Sequence, residues 1–282
     1  MLQLINISDN NIQSELVLSN VNYIEHSKET KRPSIKMVFS GTEAYQLNGR
    51  KHNIKSDNFL IVDRNSKIDL NIKNKNGVQG ICIFPDQNLI KETFRFKVGH
   101  HKELLDKPFD IKDVNLLEKT FSYRENKTGR FLTNHIQPVI SEFKLYKNLS
   151  LECFFLNLVE CMVDDQLALE GKLQNLTSLK KTTKEELYRR VSIAKDFIED
   201  NYSERINIDE LAQNVFLSKY HFIRTFKSLY KKSPYQYILK LRLEKAQELL
   251  GLDYSFNDVS NLIGFSDEKN LRKAIKKYSI AN

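Results

Sequence analysis

A chain of 282 residues is long enough for one large domain or for two of ordinary size, each with its own buried core. Its 44 Lys and Arg exceed its 36 Asp and Glu by a formal charge of +8, which favours a polyanionic partner only weakly, because a Lys-rich composition produces the same excess. The three cysteines form no CxxC pair, which argues against a disulfide framework or a zinc ribbon. Because the sequence shows neither a secretory signal nor a membrane helix, we expect a cytoplasmic protein.

Short strands are predicted between about Ser34 and Pro85, where apolar residues recur with period two. Asn48-Gly49 and Asn76-Gly77 lie between these runs, and Asn-Gly favours a hairpin turn because both residues tolerate a positive φ. Several antiparallel strands joined in this way favour a sandwich or a small barrel. Interior positions such as Tyr45, Phe59 and Ile61 fit a plain core as well as a ligand pocket. The residues that show the period of two are Tyr45, Leu47, Phe59, Ile61, Ile68, Leu70, Ile72, Ile81 and Ile83.

Beyond Pro85 the apolar period becomes helical, which predicts helices over Ile111 to Tyr123 and Val139 to Leu169. The second helix carries a broad apolar face that either packs within its own domain or forms a dimer contact, and the sequence leaves both open. The polar stretch from Leu173 to Thr183 is the predicted domain boundary. The apolar face contains Phe143, Tyr146, Leu151, Phe154, Phe155, Leu158, Val159 and Met162.

A repeat fills the almost wholly helical segment from Lys184 onward. Asn207 and Ser255, which stand 48 residues apart, each begin a short helix, with an acidic residue three positions later that suits the positive end of the helix dipole. After the turns Phe216-Leu217 and Gly264-Phe265, longer basic helices open at Ser218 and Ser266. This pattern predicts a duplicated helix-turn-helix.

The two basic helices each turn a charged face outward. Phe222, Phe226 and Leu229 point inward from the first, and Leu271 and Ile275 from the second. Between them, Ser233 caps a helix from Pro234 to Leu250, which is ~25 Å long. Together with its flanking helices, this linker is expected to match the ~34 Å recurrence of the major groove of DNA. The outward residues are Lys219, Tyr220, Ile223, Arg224, Lys227 and Lys231 in the first helix, and Glu268, Lys269, Arg272, Lys273 and Lys276 in the second.

About a hundred C-terminal residues resemble the AraC/XylS family of bacterial transcription regulators. The register of the motifs carries the resemblance: Leu211-Ala212, Ser218, Phe222-x-Arg224-x-Phe226-Lys227, Ser233-Pro234-x-x-Tyr237, Arg242-Leu243-x-x-Ala246 and Gly264-Phe265. The resemblance implies that the first turns of both basic helices contact bases, a role that falls on Lys219, Tyr220, Ile223 and Arg224 and on Glu268, Lys269, Arg272 and Lys273. We expect Lys227, Lys231 and Lys276 to contact phosphates.

The segment "YQLNGRKHNIKSDNFLIVDRNSKIDL" is similar to the cupin-like barrel that precedes such domains. The resemblance implies an α+β chain with a cupin-like β sensor domain over 1–105, a helical dimerisation segment over 106–175 and a double helix-turn-helix domain over 184–282. The predicted function is an effector-responsive, sequence-specific transcription activator that reads two successive major-groove segments per monomer. Its partners would be double-stranded DNA, a small-molecule effector, a second copy of the chain and RNA polymerase, without a membrane, a metal or another cofactor.

Some positions depart from the family pattern. Lys231 stands where the family has Gly, so a Lys must adopt a positive φ there or the helix must end differently. In the second unit Leu271 and Ile275 replace Phe residues and Lys273 replaces an Arg that could grip guanine bidentately. The segment also ends at Asn282, before the family's closing Pro and last short helix. We expect the second unit to be less stable and less sequence-specific than the first.

Three alternatives compete with this interpretation. A metal-dependent cupin enzyme would need clustered histidines, but the sequence has no His-x-His, and His100 and His101 would face opposite sides of a strand. Cys153 and Cys161 fit small buried hydrophobes better than nucleophiles. A protein with a degenerate DNA-binding unit, acting as an adaptor through protein contacts, would present the same lysines as a solvated helix face.

Overall fold

The computed structural model of the chain describes residues 2–8, 13–99, 113–146, 150–176 and 180–281. It divides into two compact units, Met1–Leu169 and Glu170–Asn282. The first unit combines an antiparallel sheet with helices, and the second is helical, which confirms the predicted α+β class. Within these ranges, no helix is both long enough and apolar enough to cross a bilayer.

The sheet of the first unit has eight described strands, all paired antiparallel. Hydrogen bonds join them in the order β1-β2-β7-β3-β6-β8, and β4 pairs with β5 and with the first half of β7. These described ladders do not by themselves close into a ring. The strands are β1 (Leu2–Ser8), β2 (Glu15–Glu29), β3 (Ser34–Ser40), β4 (Glu43–Leu47), β5 (Arg50–Ile54), β6 (Asn58–Val62), β7 (Lys67–Phe84) and β8 (Lys119–Ser122).

The two Asn-Gly pairs have different fates. Asn48 (φ 49°) and Gly49 (φ 82°) turn the β4–β5 hairpin, as predicted. The hairpin expected at Asn76-Gly77 is wrong, because β7 continues through it and pairs with β2 on both sides. Gly77 (φ 78°) instead lies in an irregular part of β7, where residues 74–77 lie opposite Asn22 of β2. Asn22 Nδ2 donates to the Lys75 carbonyl there at 3.0 Å.

The sheet corrects two further expectations. β1 and β2 lie before the region in which strands were predicted. Only part of β2 is buried, and its weak alternation of apolar residues gave no strand prediction. The helix predicted from Ile111 to Tyr123 is wrong where the structure describes it: Lys119–Ser122 is strand β8, and residues 111–112 lie outside the described ranges. Phe121 pairs with Phe59 of β6 and stacks on its ring at 5.7 Å, so tertiary packing decides the conformation.

Three of the helices in the described residues pack on one face of the sheet: α1 (Gln87–Val98), α2 (Lys127–Tyr146) and α3 (Glu152–Gln174). The single helix predicted from Val139 to Leu169 is therefore two described helices. The predicted apolar face packs within its own unit, in one cluster with sheet residues such as Ile35 and Ile83. The side chain of Tyr146 lies outside the described part. The buried members of the face are Leu151, Phe154, Phe155, Leu158, Val159 and Met162.

The three cysteines are free thiols among the described residues. Cys153 is exposed and Cys161 is only half-buried, so the expectation that both are small buried hydrophobes is wrong for Cys153. Burial raises the pKa of the Cys161 thiol, and the nearby carboxylates Asp165 and Asp164 raise it further. The Cys161 thiol is therefore held in its less nucleophilic, protonated form.

The second unit contains the predicted repeat of helices. The short helices α5 and α8 are each followed by a turn and a longer helix, α6 or α9, and α7 joins the two pairs. The helices are α4 (Lys181–Asn201), α5 (Ile208–Asn214), α6 (Lys219–Tyr230), α7 (Pro234–Leu250), α8 (Phe256–Leu262) and α9 (Glu268–Ala281).

Candidate nucleic-acid interface

The first helix-turn-helix consists of α5, a tight turn and α6. Asn207 caps α5, as predicted, by accepting from the Asp209 amide at 3.0 Å. Ala212 is fully buried, and its carbonyl accepts from the Leu217 amide at 2.9 Å, so the turn folds back on α5. Ser218 caps α6, as predicted. The small residue at 212 thus lets the two helices approach closely.

The outward face of α6 presents predicted contact residues to solvent. Tyr220 is 85% exposed, and Arg224 and Lys227 are also exposed, whereas Ile223 is half-buried. On the opposite side Phe222 and Phe226 are fully buried with their rings 5.7 Å apart, which confirms the predicted orientation. No Asp or Glu occurs in α6. The helix is therefore firmly seated on one side and cationic and aromatic on the other.

Lys219 and Lys231, at the two ends of the first predicted contact set, are constrained by local interactions of α6. Lys219 is half-buried and forms an ion pair with Asp209 of α5 at 2.6 Å, and the Asp209 carboxylate raises the pKa of Lys219. Lys231 ends α6 in the left-handed conformation (φ 61°), and its amide donates to the Lys227 carbonyl at 2.9 Å. The departure from Gly at 231 is thus accommodated by a strained Lys.

The second helix-turn-helix repeats the first with one difference. Ser255 caps α8 through the Asp258 amide at 3.1 Å, and Leu271 is fully buried beside a half-buried Ile275, as predicted. The second basic helix does not open at Ser266. Asp267 provides the cap by accepting from the Asn270 amide at 2.7 Å, so α9 begins at Glu268.

Ion pairing occupies part of the second outward face. Glu268 accepts from Arg272 Nε at 2.6 Å, and the Arg272 guanidinium lies 3.6 Å from the centre of the Phe256 ring of α8. Arg272 is therefore already engaged by contacts within the second helix-turn-helix. Lys269, Lys273 and Lys276 are exposed.

Arg242 of α7 has a structural role that the sequence pattern did not reveal. Its Nε donates to the Tyr202 carbonyl at 2.6 Å, Nη2 to the Glu204 carbonyl at 2.8 Å, and Nη1 to the Gly264 carbonyl at 2.6 Å. Tyr202 and Glu204 precede α5, whereas Gly264 is in the second turn. One side chain therefore ties the two helix-turn-helix units together. The sequence marks Arg242 only as part of the Arg242-Leu243-x-x-Ala246 motif and does not indicate which carbonyls it meets.

The linker helix α7 has the predicted bounds and start. Ser233 and Gln236 form a reciprocal capping box, with Pro234 at the first helical position. Leu243 and Ala246 are buried against Val259 and Leu271 of the second helix-turn-helix. These contacts and those of Arg242 fix the second helix-turn-helix on α7.

The first unit contains a cavity of about 720 Å³ on the face of its sheet opposite the described helices. Aliphatic residues from β2 and β7, including Val17, Val21, Ile68 and Ile72, line much of it. Polar groups gather around Lys36 of β3, whose Nζ lies 2.6 Å from Cys82 Sγ and 4.9 Å from the centre of the Phe84 ring. The cavity is therefore apolar along one side, and its remaining lining is charged, with the cations Lys28, Lys31, Arg32 and Lys36 and the acids Glu15, Glu29 and Glu43.

Two features of the polar side are unusual for a protein interior. Ser34 is 1% exposed, lines the cavity, and within the described residues its Oγ has no hydrogen-bond partner. Glu43 is buried and accepts from Tyr45 Oη at 2.6 Å; burial raises the pKa of Glu43, although the Tyr45 bond and Lys36 oppose the shift. A buried hydroxyl without a partner is costly unless a ligand or water satisfies it.

The histidines lie apart in the described structure. His26 lines the cavity, His52 Nδ1 lies 3.0 Å from Thr120 Oγ1, and His135 Nδ1 lies 2.9 Å from the Phe131 carbonyl. His221 is exposed on α6. His100 and His101 lie outside the described residues. Among the described residues, no group of three or more His, Cys, Asp and Glu has the geometry to hold a metal ion.

Comparison with known proteins identifies the second unit. A family model described as a helix-turn-helix domain matches residues 211–279. The raffinose operon transcriptional regulatory protein RafR of Pediococcus pentosaceus is 32% identical over 92 residues, which are 32% of this chain and 33% of that protein. The lactose operon transcription activator of Staphylococcus xylosus is 29% identical over 86 residues, 30% of this chain and 31% of that one.

Among solved structures, an AraC-type transcriptional regulator from Chromobacterium violaceum is 26% identical, covers 32% of this chain and 82% of that chain, and has a TM-score of 0.30. The present chain spans about a third of the length of the two curated relatives. Both relatives are transcription regulators rather than enzymes. Residues 211–279 thus form a helix-turn-helix domain, and this part of the chain is similar to transcription regulators, as the resemblance of its motifs predicted.

Proposed function

We propose that the chain is a sequence-specific transcription regulator in which α6 and α9 enter successive major-groove segments of DNA. The observation that carries the proposal is the outward face of α6, where exposed Tyr220, Arg224 and Lys227 stand opposite two fully buried Phe residues. A helix held so firmly on one side can present its other side in fixed register to base edges. The three hydrogen bonds of Arg242 connect the two helix-turn-helix units, which supports their joint action on DNA.

The outward residues differ in the role that we assign them. Arg224 is the proposed base reader, and a bidentate contact with guanine would discriminate by about 1–3 kcal/mol. Lys227, Lys231 and Lys276 contact phosphates, which position the domain without reading sequence. Because Arg272 is already paired with Glu268 and stacked on Phe256, we assign it to orienting α9, and leave base contacts in that helix to Lys269 and Lys273.

The remaining residues of the first set have narrower roles. Tyr220 and Ile223 supply the apolar part of the interface on α6. Lys219 must exchange Asp209 for a phosphate, or stay paired and keep the start of α6 in place. Glu268 would accept from the amino group of a cytosine only if it released Arg272.

The DNA proposal is tested by selecting binding sites from random duplexes with the purified full chain. Arg224→Ala should flatten the preference at one position of the selected motif while the other positions persist. Lys245→Ala on α7, which removes a cation paired with Glu248, serves as the control and should leave the motif intact. An unaltered motif with Arg224→Ala would remove Arg224 as a reader. A wild-type chain without any preference would favour the alternative of a degenerate, adaptor-like protein.

We further propose that the first unit is a cupin-like sensor whose effector occupies the 720 Å³ cavity. The aliphatic lining favours a ligand with an apolar body, and the orphan Ser34 hydroxyl beside Lys36 favours an acceptor or anionic group on it. Such a ligand shifts regulation only if it binds the active and inactive states with different affinity. An activator role would follow if the active state is the one favoured.

The cavity proposal is tested with 1-anilinonaphthalene-8-sulfonate, an organic anion with an apolar body. Lys36→Met should weaken its binding at least several-fold, because it removes the buried ammonium and keeps the apolar volume. The control is Lys73→Met, which removes an exposed cation near Tyr23 outside the cavity lining. Equal affinities of wild type and Lys36→Met would show that the probe does not use the polar side of this cavity.

The homodimer and the contact with RNA polymerase are proposals as well. The helix face predicted for dimerisation is used inside the first unit, so a second copy must use other residues. Phe96 of α1 and Leu156 of α3 are exposed and line one groove, which makes this groove the proposed dimer contact. Sedimentation of the Phe96→Asp variant should show a smaller species than wild type, and an unchanged mass would exclude the groove.

A further inference from the structure

The turn of the first helix-turn-helix holds an aromatic residue in a conformation that suits glycine. Phe216 has φ 56°, in the left-handed region, and its side chain is 80% exposed. Bulky residues rarely adopt this region because Cβ approaches the following carbonyl oxygen. The second unit has Gly264, φ 78°, at the equivalent position 48 residues later. The fold itself is therefore satisfied by glycine at this position.

Local packing does not account for the Phe216 ring. The Arg190 guanidinium lies 5.9 Å from the ring centre, near the outer limit of a cation–π contact. Arg190 Nη1 also donates to the Phe216 carbonyl at 3.1 Å, a bond that any residue at this position could accept. Because about four-fifths of Phe216 is exposed to solvent, the free energy gained by burying its ring offsets little of the cost of the left-handed backbone. Strain that the fold does not need marks a candidate functional residue.

The location of Phe216 connects it with the DNA-facing helix. It lies two residues before Ser218, the cap of α6, and Tyr220, 85% exposed, follows in the first turn. Two exposed aromatic side chains thus flank the start of the helix that carries Arg224. The Arg190 bond to the Phe216 carbonyl fixes the backbone from which the ring projects.

We propose that Phe216 is a specificity-determining residue that contacts the 5-methyl group of a thymine beside the bases faced by α6, an inference that rests on the proposed DNA-reading function. A phenyl ring has no hydrogen-bond donor or acceptor, so it cannot read polar base edges. The apolar group that the major groove offers is the thymine methyl, and Phe is among the side chains that contact it. The ring therefore selects thymine at one position.

The test combines two variants of the full chain with the selected binding site and with versions of it that each lack one thymine methyl group. Phe216→Gly removes the ring and the strain together, and Phe216→Tyr keeps the ring. In the DNA, each thymine of the site is replaced in turn by uracil, which lacks only the 5-methyl group. Leu262→Ala, at an exposed apolar position of α8, is the matched control for loss of apolar surface.

One thymine-to-uracil replacement should weaken wild-type binding about fourfold, the effect of one apolar carbon leaving a contact. Phe216→Gly should weaken binding to the thymine site, lose sensitivity to that replacement, and melt at a temperature equal to or above that of wild type. Phe216→Tyr and Leu262→Ala should keep the wild-type sensitivity. The proposal is overturned if no replacement affects wild type, if Phe216→Gly keeps the same sensitivity, or if it loses thermal stability and binds all sequences equally less well. A wild-type chain that selects no site would instead refute the DNA-reading function.

Discussion

Replacement of Arg242 should separate the two halves of the DNA-binding domain. Its guanidinium donates to three backbone carbonyls, two before α5 and one at Gly264 in the second turn. Arg242→Ala removes all three bonds. Arg242→Lys keeps a positive charge but can reach only one of the carbonyls, because an ammonium lacks the planar fork of the guanidinium.

The magnitude follows from the number of bonds that water cannot replace. A hydrogen bond to a charged group contributes ~1.5–3 kcal/mol, with the lower value apt for a half-buried side chain. Glu204 is an exposed residue, so water can reach its carbonyl, whereas Tyr202 and Gly264 are half-buried residues. Two bonds at the lower value give about 3 kcal/mol for Arg242→Ala, and one retained bond gives about 1.5 kcal/mol for Arg242→Lys.

Native-state hydrogen exchange of the full chain measures this loss where it occurs. The Phe265 amide donates to the Ser260 carbonyl at 2.9 Å in the second turn, and its protection should fall by about two orders of magnitude in Arg242→Ala. Lys245→Ala, elsewhere on α7, should leave the protection within twofold. The reasoning is refuted if Arg242→Ala exchanges at Phe265 as slowly as wild type.

Three further results are expected. Gly264→Ala should cost at least ~2 kcal/mol more than Gly49→Ala, because both glycines have positive φ but only a Cβ at 264 would collide with a backbone oxygen, that of Ser203. Equal urea midpoint shifts would contradict this. Lys227→Ala should lower the slope of log K against log salt by about one unit for every DNA sequence, and an unaltered slope excludes a phosphate contact. Burial raises the pKa of Glu43, so its contribution to stability is present below its ordinary pKa of 4.5 and is lost as pH rises through the raised value. Over that pH window the unfolding free energy of Glu43→Gln should rise relative to that of wild type. Parallel pH profiles of the two unfolding free energies would refute the burial effect.

The second unit could be predicted in detail because its signals are local. Ser218, Ser233 and Ser255 cap the helices that follow them, and these caps depend on neighbours only three residues away. The inward Phe222 and Phe226 follow from helical spacing alone. Arg242 escaped prediction because its partners are 22 to 40 residues distant in the chain, and a single Arg in a helix gives no indication of which carbonyls it meets.

The first unit was predicted less well because its pairing is long-range. Asn76-Gly77 carries a strong turn signal, but β2 binds β7 on both sides of it, so the same positive φ lies in an irregular part of β7. Phe121 belongs to a strand because Phe59 lies opposite, and no pattern within Ile111 to Tyr123 indicates this. The cavity and the orphan hydroxyl of Ser34 depend on the assembled sheet and have no sequence signature.

The cap at Asp267 changes how the two halves of the repeat must be aligned. Asn207 and Ser255 differ by 48 positions, but Ser218 and Asp267 differ by 49, because Ser266 is an additional residue in the second turn. A designer who transplanted the base-facing side chains of α6 onto α9 at the constant offset would rotate each of them by ~100° around the helix axis. Chimeric readers built from this scaffold must therefore count from the caps, and the additional serine is the natural position at which to join such parts.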